Sequence, residues 1–291
     1  MRVTQSMLSN NFLRNISKSY EELGKLQDQL ATQKKITRLS DDPVVAMLGL
    51  GYRTNLNQVQ QFTRNIGEVN NWLESTDDAI SHGVNVLQRI RELTIQAAND
   101  TYEENQRSAI AVEMRQLKEQ LQTIAETQVG GKYIFNGTNT NHPPVGGEFS
   151  SGVIKIEIFD GITISVNTNG SELFGDILKD DESSFLTRLI EVLENPEATG
   201  DDVREYIGKV DEAIDRFLKE QANVGAKLNR VEMMEDRLSS QEVIASKILS
   251  ENEDVEIEKV ITELITQESV HRAALSVGAR IIQPTLVDFL R

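Results

Sequence analysis

Apolar residues recur along this chain in alternating steps of three and four, over runs far longer than an ordinary globular helix. One run reads Val59, Phe62, Ile66, Val69, Leu73, Thr76, Ile80, Gly83, Leu87, Ile90, Thr94 and Ala97 without a slip. A second reads Ile110, Met114, Leu117, Leu121 and Ile124. A third reads Val203, Ile207, Val210, Ile214, Phe217, Gln221, Val224, Leu228, Val231, Glu235 and Leu238. Such spacing is a heptad seam, one narrow apolar stripe on a long helix. A stripe of that kind is not buried by its own helix, so each long helix must pair with another. Shorter runs lie at the two ends: Phe12, Ile16, Ser19, Leu23, Leu26 and Leu30 at one, and Ile257, Ile261, Leu264, Val270, Ala274, Val277 and Ile281 at the other.

Helix stops and starts fall between the runs. All five prolines lie outside them, as a helix interior requires. Asn105 is a candidate cap for the second run, and Ser183 or Ser184 for a short helix of Phe185, Leu186, Leu189, Ile190 and Leu193 that Asn195-Pro196 ends. Ser40-Asp41-Asp42-Pro43 stops one helix and starts the next: Pro43 suits a first turn, Asp42 is a good N-cap, and Asp41 adds negative charge at the positive helix end. A polar counterpart, Ser250-Glu251-Asn252-Glu253-Asp254, precedes the last run. The four residues Ser40 to Pro43 are therefore read as a hinge to a terminal module.

Composition shifts in the middle. Residues 130–175 hold nine of the eighteen glycines. There Val153–Ile158 and Ile162–Val166 alternate strictly around Asp160-Gly161, the pattern of a β-hairpin. A three-residue loop pairs Ile158 with Ile162, Ile156 with Ile164 and Ile154 with Val166. It leaves Gly161 to take the left-handed conformation of a bulge.

The expected fold is mainly α: an elongated antiparallel helical bundle built from both chain halves, with a small β-rich insert and terminal coiled-coil helices. The expected division is residues 1–42 with 252–291 as a terminal coiled-coil module, 43–131 with 176–251 as a helical rod, and 132–175 as the β-rich insert.

Chemistry is sparse. Cysteine is absent, which removes disulfides and thiolate chemistry. His82, His142 and His271 lie in unrelated segments, and Asp77-Asp78 and Asp180-Asp181-Glu182 read as solvated faces or helix starts. No catalytic residue, metal site or cofactor is expected. Asn136-Gly137-Thr138 and Asn169-Gly170-Ser171 match the glycosylation pattern but read as turns. The glycines at 130–131 and 146–147 form no phosphate loop. A net charge of −16 argues against nucleic acid and against an anionic membrane surface. No apolar run reaches transmembrane length, and no apolar region follows Met1-Arg2-Val3-Thr4-Gln5, so no cleaved signal peptide is expected.

The segments MRVTQSMLSNNFLRNISKSYEELGKLQDQLATQKKITRLSDDPVVAM, RELTIQAANDT, QVGGKYIFNGT, ANVGAKLNRVE and VITELITQESVHRAALSVGARIIQPTLVDFLR resemble the flagellin family. Within it, MRVTQSML, VNTNGSELF and RIIQPTLVDFLR resemble the hook–filament junction branch more than a filament flagellin. The resemblance implies a non-enzymatic structural protein of the bacterial flagellum, extracellular and exported through the flagellar type III channel. The implied partners are further copies of the chain, hook-associated protein 1, flagellin and an export chaperone. The implied assembly interface lies on the terminal helices: Phe12, Ile16, Leu23, Leu26, Leu30, Ile257, Ile261, Leu264, Val277, Ile281, Leu286 and Phe289. Residues 1–40 and 255–291 are expected to be flexible in the soluble monomer. A filament flagellin is the nearest alternative reading, and a cytoplasmic coiled-coil scaffold is the alternative from another class.

Overall fold

The computed structural model describes residues 5–99, 104–144, 148–179, 184–196 and 198–282. Among them the chain is mainly helical, with seven helices and two two-stranded sheets. In order these are α1 (Gln5–Thr32), α2 (Pro43–Ala97), α3 (Glu104–Ala125), β1 (Gln128–Val129), β2 (Lys132–Tyr133), β3 (Lys155–Phe159), β4 (Ile162–Ser165), α4 (Gly170–Leu178), α5 (Phe185–Glu194), α6 (Gly200–Glu253) and α7 (Ile257–Ile282). They form two compact units: residues 1–58 with 241–291, and residues 59–240.

The second unit contains the core. In α2 every position of the expected stripe from Val59 to Ala97 is buried except Phe62, which is half-buried. Thr76 and Thr94 fit there because each hydroxyl donates to its own helix, to the carbonyls of Trp72 and Ile90, both at 2.7 Å. In α6 a buried row recurs every seventh residue, at Val203, Val210, Phe217, Val224, Val231 and Leu238, with Ala213 buried beside it. The two helices run antiparallel: Arg91 meets Asp211 at 2.5 Å, Gly83 lies under the Phe217 ring, and Asn70 donates to Glu235 at 3.3 Å. Glu235, expected within the seam, is exposed and makes that polar bond instead.

A second buried row on α2, Trp72, Ala79, Val86 and Leu93, also at seven-residue spacing, belongs to the same core cluster as the buried residues of α3, α4 and α5. α3 and α5 are tied by Lys118 to the Thr187 hydroxyl at 3.1 Å and by the Arg115–Glu194 pair. Ser184 caps α5, its hydroxyl accepting from the Thr187 N–H and donating to the Ile177 carbonyl at 2.6 Å, while Ser183 lies outside the described residues. Asn195 ends α5. Asn105 is not a cap, because α3 already begins at Glu104. Phe174 of α4 is the aromatic hub, edge-on to Phe135 and to Phe217 at 5.1 Å each and stacked near Phe149 at 5.9 Å.

The β3–β4 hairpin keeps most of the expected register. Ile156 pairs with Ile164, and the Val166 N–H donates to the Ile154 carbonyl at 3.0 Å. The expected Ile158–Ile162 pair is replaced by Phe159–Ile162, with a bulge at Ile158. The extra residue lets Ile158 stay fully buried while Phe159 stacks on Phe62 at 6.1 Å with the Arg237 guanidinium 4.6 Å from its ring. Gly161 has a φ of 71°, as the turn requires. The Gly130–Gly131 pair makes the β1–β2 turn, with φ of 58° and 78°. Asn136 and Asn169 are structural. Asn136 donates to the His142 carbonyl and accepts from the Ser150 N–H, and Asn169 caps α4.

Candidate functional site

The first unit is built differently. Its hydrophobic residues buried among the described ones are Ala46, Val260 and Ala245. Large apolar side chains lie exposed along all four of its helical segments, including Leu13, Tyr20, Val44, Met47, Leu48, Ile244, Ile248, Ile261, Ile265 and Val277. The segment Pro43-Val44-Val45-Ala46-Met47-Leu48-Gly49-Leu50-Gly51 opens α2 without one polar side chain. A helix apolar on every side is one that expects cover on every side.

α1 and α7 pack antiparallel. Phe12 lies over Gly278, where an added Cβ would meet the ring. His271 Nδ1 is 3.1 Å from the Ser19 hydroxyl, and the Tyr20 and His271 ring centroids are 6.1 Å apart. Gln267 donates to Glu22 at 2.7 Å. Phe12, Ile16, Leu23, Leu26 and Leu30 are half-buried at successive positions of one α1 stripe. On α7 the inward positions are Val260, Leu264, Gln267, His271, Ala274 and Gly278. Of the residues expected to form the α7 stripe, Leu264 and Ala274 are on it. Ile257, Ile261, Val270 and Val277 are exposed on its flanks. Ile281 lies on the helix, with its side chain outside the described set, and Leu286 and Phe289 lie outside the described residues.

The break at Ser40–Pro43 is a capped turn. Asp42 accepts from the Val44 and Val45 N–H groups at 3.0 and 3.2 Å, and Pro43 is the first residue of α2. Asp41 does not serve the α2 dipole as expected. Its carboxylate turns back to accept from the Arg38 N–H at 3.0 Å and from Thr37, and the Arg38 bond holds its carboxyl below the usual range. Ser40 is exposed in the same turn.

The second break meets the first. Lys34 and Asp254 form an antiparallel bridge, with the Lys35 N–H donating to the Glu253 carbonyl at 2.6 Å and the Val255 N–H to the Gln33 carbonyl at 3.1 Å. Lys34 Nζ is 2.6 Å from Asp254 Oδ1 and 3.6 Å from Glu253 Oε2, and Arg53 is 2.7 Å from that same Glu253 oxygen. The Glu253 side chain is only 7% exposed. Its charge is compensated from α2 and from the turn after α1, as burial demands. The matching polarity of the two breaks was visible in the sequence; the ion cluster that joins them was not, because pairing across 220 residues has no local signal.

No group of His, Asp and Glu suited to a metal occurs among the described residues, and none of the described helices is long and apolar enough to cross a membrane.

The family model of the bacterial flagellin N-terminal helical region matches residues 3–140, and that of the C-terminal helical region matches residues 207–290. Flagellar hook-associated protein 3 of Escherichia coli (strain K12) is 24% identical over 94% of this chain and 95% of its own length. A flagellin of Halalkalibacterium halodurans is 22% identical over 96% of this chain and 95% of its own length. The fold is also that of the flagellar junction protein FlgL from Legionella pneumophila, with a TM-score of 0.58 at 17% identity, over 71% of this chain and 99% of that one.

Proposed function

The chain belongs to the flagellin family, and from that premise we propose that it is the structural protein of the hook–filament junction in the bacterial flagellum. It joins hook-associated protein 1 on the hook side to flagellin on the filament side. The family is a structural one, and a place in the flagellum among other flagellar components follows from membership. Export through the flagellar type III channel without a cleaved signal, held beforehand by an export chaperone, completes the reading.

One observation carries it. The first unit leaves many of its large apolar residues outside, a surface that neighbouring subunits would cover. Burying a side chain such as Ile261 or Ile265 is worth about 1.5–3 kcal/mol, and a two-helix pair repeated along a screw axis can recover that term at every subunit. In this reading residues 1–42 with 252–291 form the assembly module. Phe12, Ile16, Leu23, Leu26, Leu30 and Leu264 hold its inner seam. Ile257, Ile261 and Val277 face neighbours, Ile281, Leu286 and Phe289 belong to the same proposed interface, and Ser40 to Pro43 let the module reorient.

The test is deletion of the gene in its own host. Hooks without filaments, with flagellin monomer shed to the medium, are expected. Normal filaments would overturn the junction role. The full-length match to a flagellin favours a second reading, a filament subunit. Short or missing filaments with no shed flagellin would support that one.

A further inference from the structure

The two chain breaks meet at a node, and the helix pair that leaves it keeps one register, two residues from the pairing at the node. α1 ends at Thr32, and Gln33 follows with a φ of 57°, the one non-glycine residue with positive φ among the described residues. That left-handed residue closes the helix and turns its carbonyl to Val255. Lys34 then stands opposite Asp254, and Gln29 reaches over to donate to the Lys35 carbonyl at 2.7 Å. Gly49 makes room for the buried carboxylate: a Cβ there would lie 2.7 Å from Glu253 Oε1.

Hydrophobicity alone leaves the α1–α7 register open, because α7 carries apolar residues on its seam and on both flanks. Sliding one helix by a heptad exchanges one apolar set for another, which is the condition under which registers slip. The contacts actually made keep one register along the helices, offset by two residues from the pairing at the node. Lys34 faces Asp254, Ser19 faces His271, and Phe12 faces Gly278. Going down α1 by fifteen residues advances α7 by seventeen, and by a further seven advances it by seven.

We propose that the node of Gln33, Lys34, Arg53, Glu253 and Asp254 is a register-setting clamp, which dictates which turn of α1 meets which turn of α7 before any neighbouring subunit is present. The apolar flanks are therefore presented in one fixed pattern. Gly278 under Phe12 and the Ser19–His271 pair reinforce that register; the clamp selects it.

The absence of cysteine gives a clean assay. In the full chain, Ser19→Cys with His271→Cys reports the observed register, and Ser19→Cys with Leu264→Cys reports a one-heptad slip. Oxidation of the purified monomer followed by a non-reducing gel reads both. With the clamp intact, the first pair cross-links and the second does not. In a Lys34→Ala, Glu253→Gln background the ratio of the two falls by about fivefold or more, the change that about 1 kcal/mol makes in an equilibrium. Lys34→Arg, which keeps the positive charge facing Asp254 and Glu253, holds the ratio, whereas Lys34→Asp does not. Emission of Trp72, buried in the second unit, checks that every variant is otherwise folded. An unchanged ratio in the Lys34→Ala, Glu253→Gln background would overturn the clamp, and so would a ratio as high in Lys34→Asp as in Lys34→Arg.

Discussion

A single carboxylate decides where α2 begins. Asp42 accepts from two N–H groups that the helix leaves orphaned, so Asp42→Ala should cost about 1 kcal/mol. Amide exchange at Val44 and Val45 should quicken while that of Leu73 and Leu87 stays unchanged. The clamp carries a pH signature. The Lys34 ammonium, and after it the Ser250 hydroxyl, hold the Asp254 carboxyl below its usual range; the Asp254 bond pushes Lys34 up. A depressed carboxyl adds stability that is full above its unfolded value of about 3.9 and lost as pH falls through the folded value. Lys34 adds its share below about 10.4 and loses it as pH rises through the folded value. The bridge should therefore hold between these limits and loosen on acidification below about pH 4, read as movement of the Val255 and Lys35 amide resonances. Both side chains are partly exposed, so added salt should weaken the effect.

At the scale of elements, glycines in the long helices divide by what faces them. Gly83 is buried against Phe217, where an added Cβ would lie 2.5 Å from the ring. Gly208, exposed on α6, has nothing near. Gly208→Ala should stabilise by about 0.5–1 kcal/mol, the backbone term alone. Gly83→Ala gains the same term but must overpack a fully buried ring, at about 1–3 kcal/mol, so its net effect should be destabilising. Thermal unfolding of the two variants should shift in opposite directions. Most of this layer was legible. The three-and-four spacing located the α6 seam and the first of the α2 seams. The second α2 row, Trp72 to Leu93, had the same seven-residue spacing, but a two-helix reading needs only one seam. On α7 the signal failed for a physical reason. Apolar residues surround that helix, so hydrophobicity cannot choose the inward face. Packing chose instead, and took Gly278 because Phe12 needs the space. The bulge expected at Gly161 falls at Ile158 instead, because Phe159 is anchored by Phe62 and Arg237, which no local pattern connects to it.

At the scale of the molecule, the chain divides its apolar surface between two purposes. The second unit buries its own in paired seams and an aromatic hub. The first unit keeps Val44, Met47, Ile261, Ile265 and Val277 outside and spends its polar residues on a clamp and a capped turn. Composition had hinted at this: aromatics are only 5% of residues, too few for a large core. What no periodicity could tell is which exposed faces meet which partner, because that information is held by other chains. Since Ile265 is 59% and Ile261 40% exposed in the isolated chain, changing them should weaken assembly more than stability. The most direct test is Ile261→Asp with Ile265→Asp, introduced into the deletion strain. The monomer should unfold within about 0.5 kcal/mol of the unaltered chain, and cells should bear hooks without filaments while shedding flagellin. Full filaments and normal swimming from that variant would contradict the account, because the flank would then need no cover.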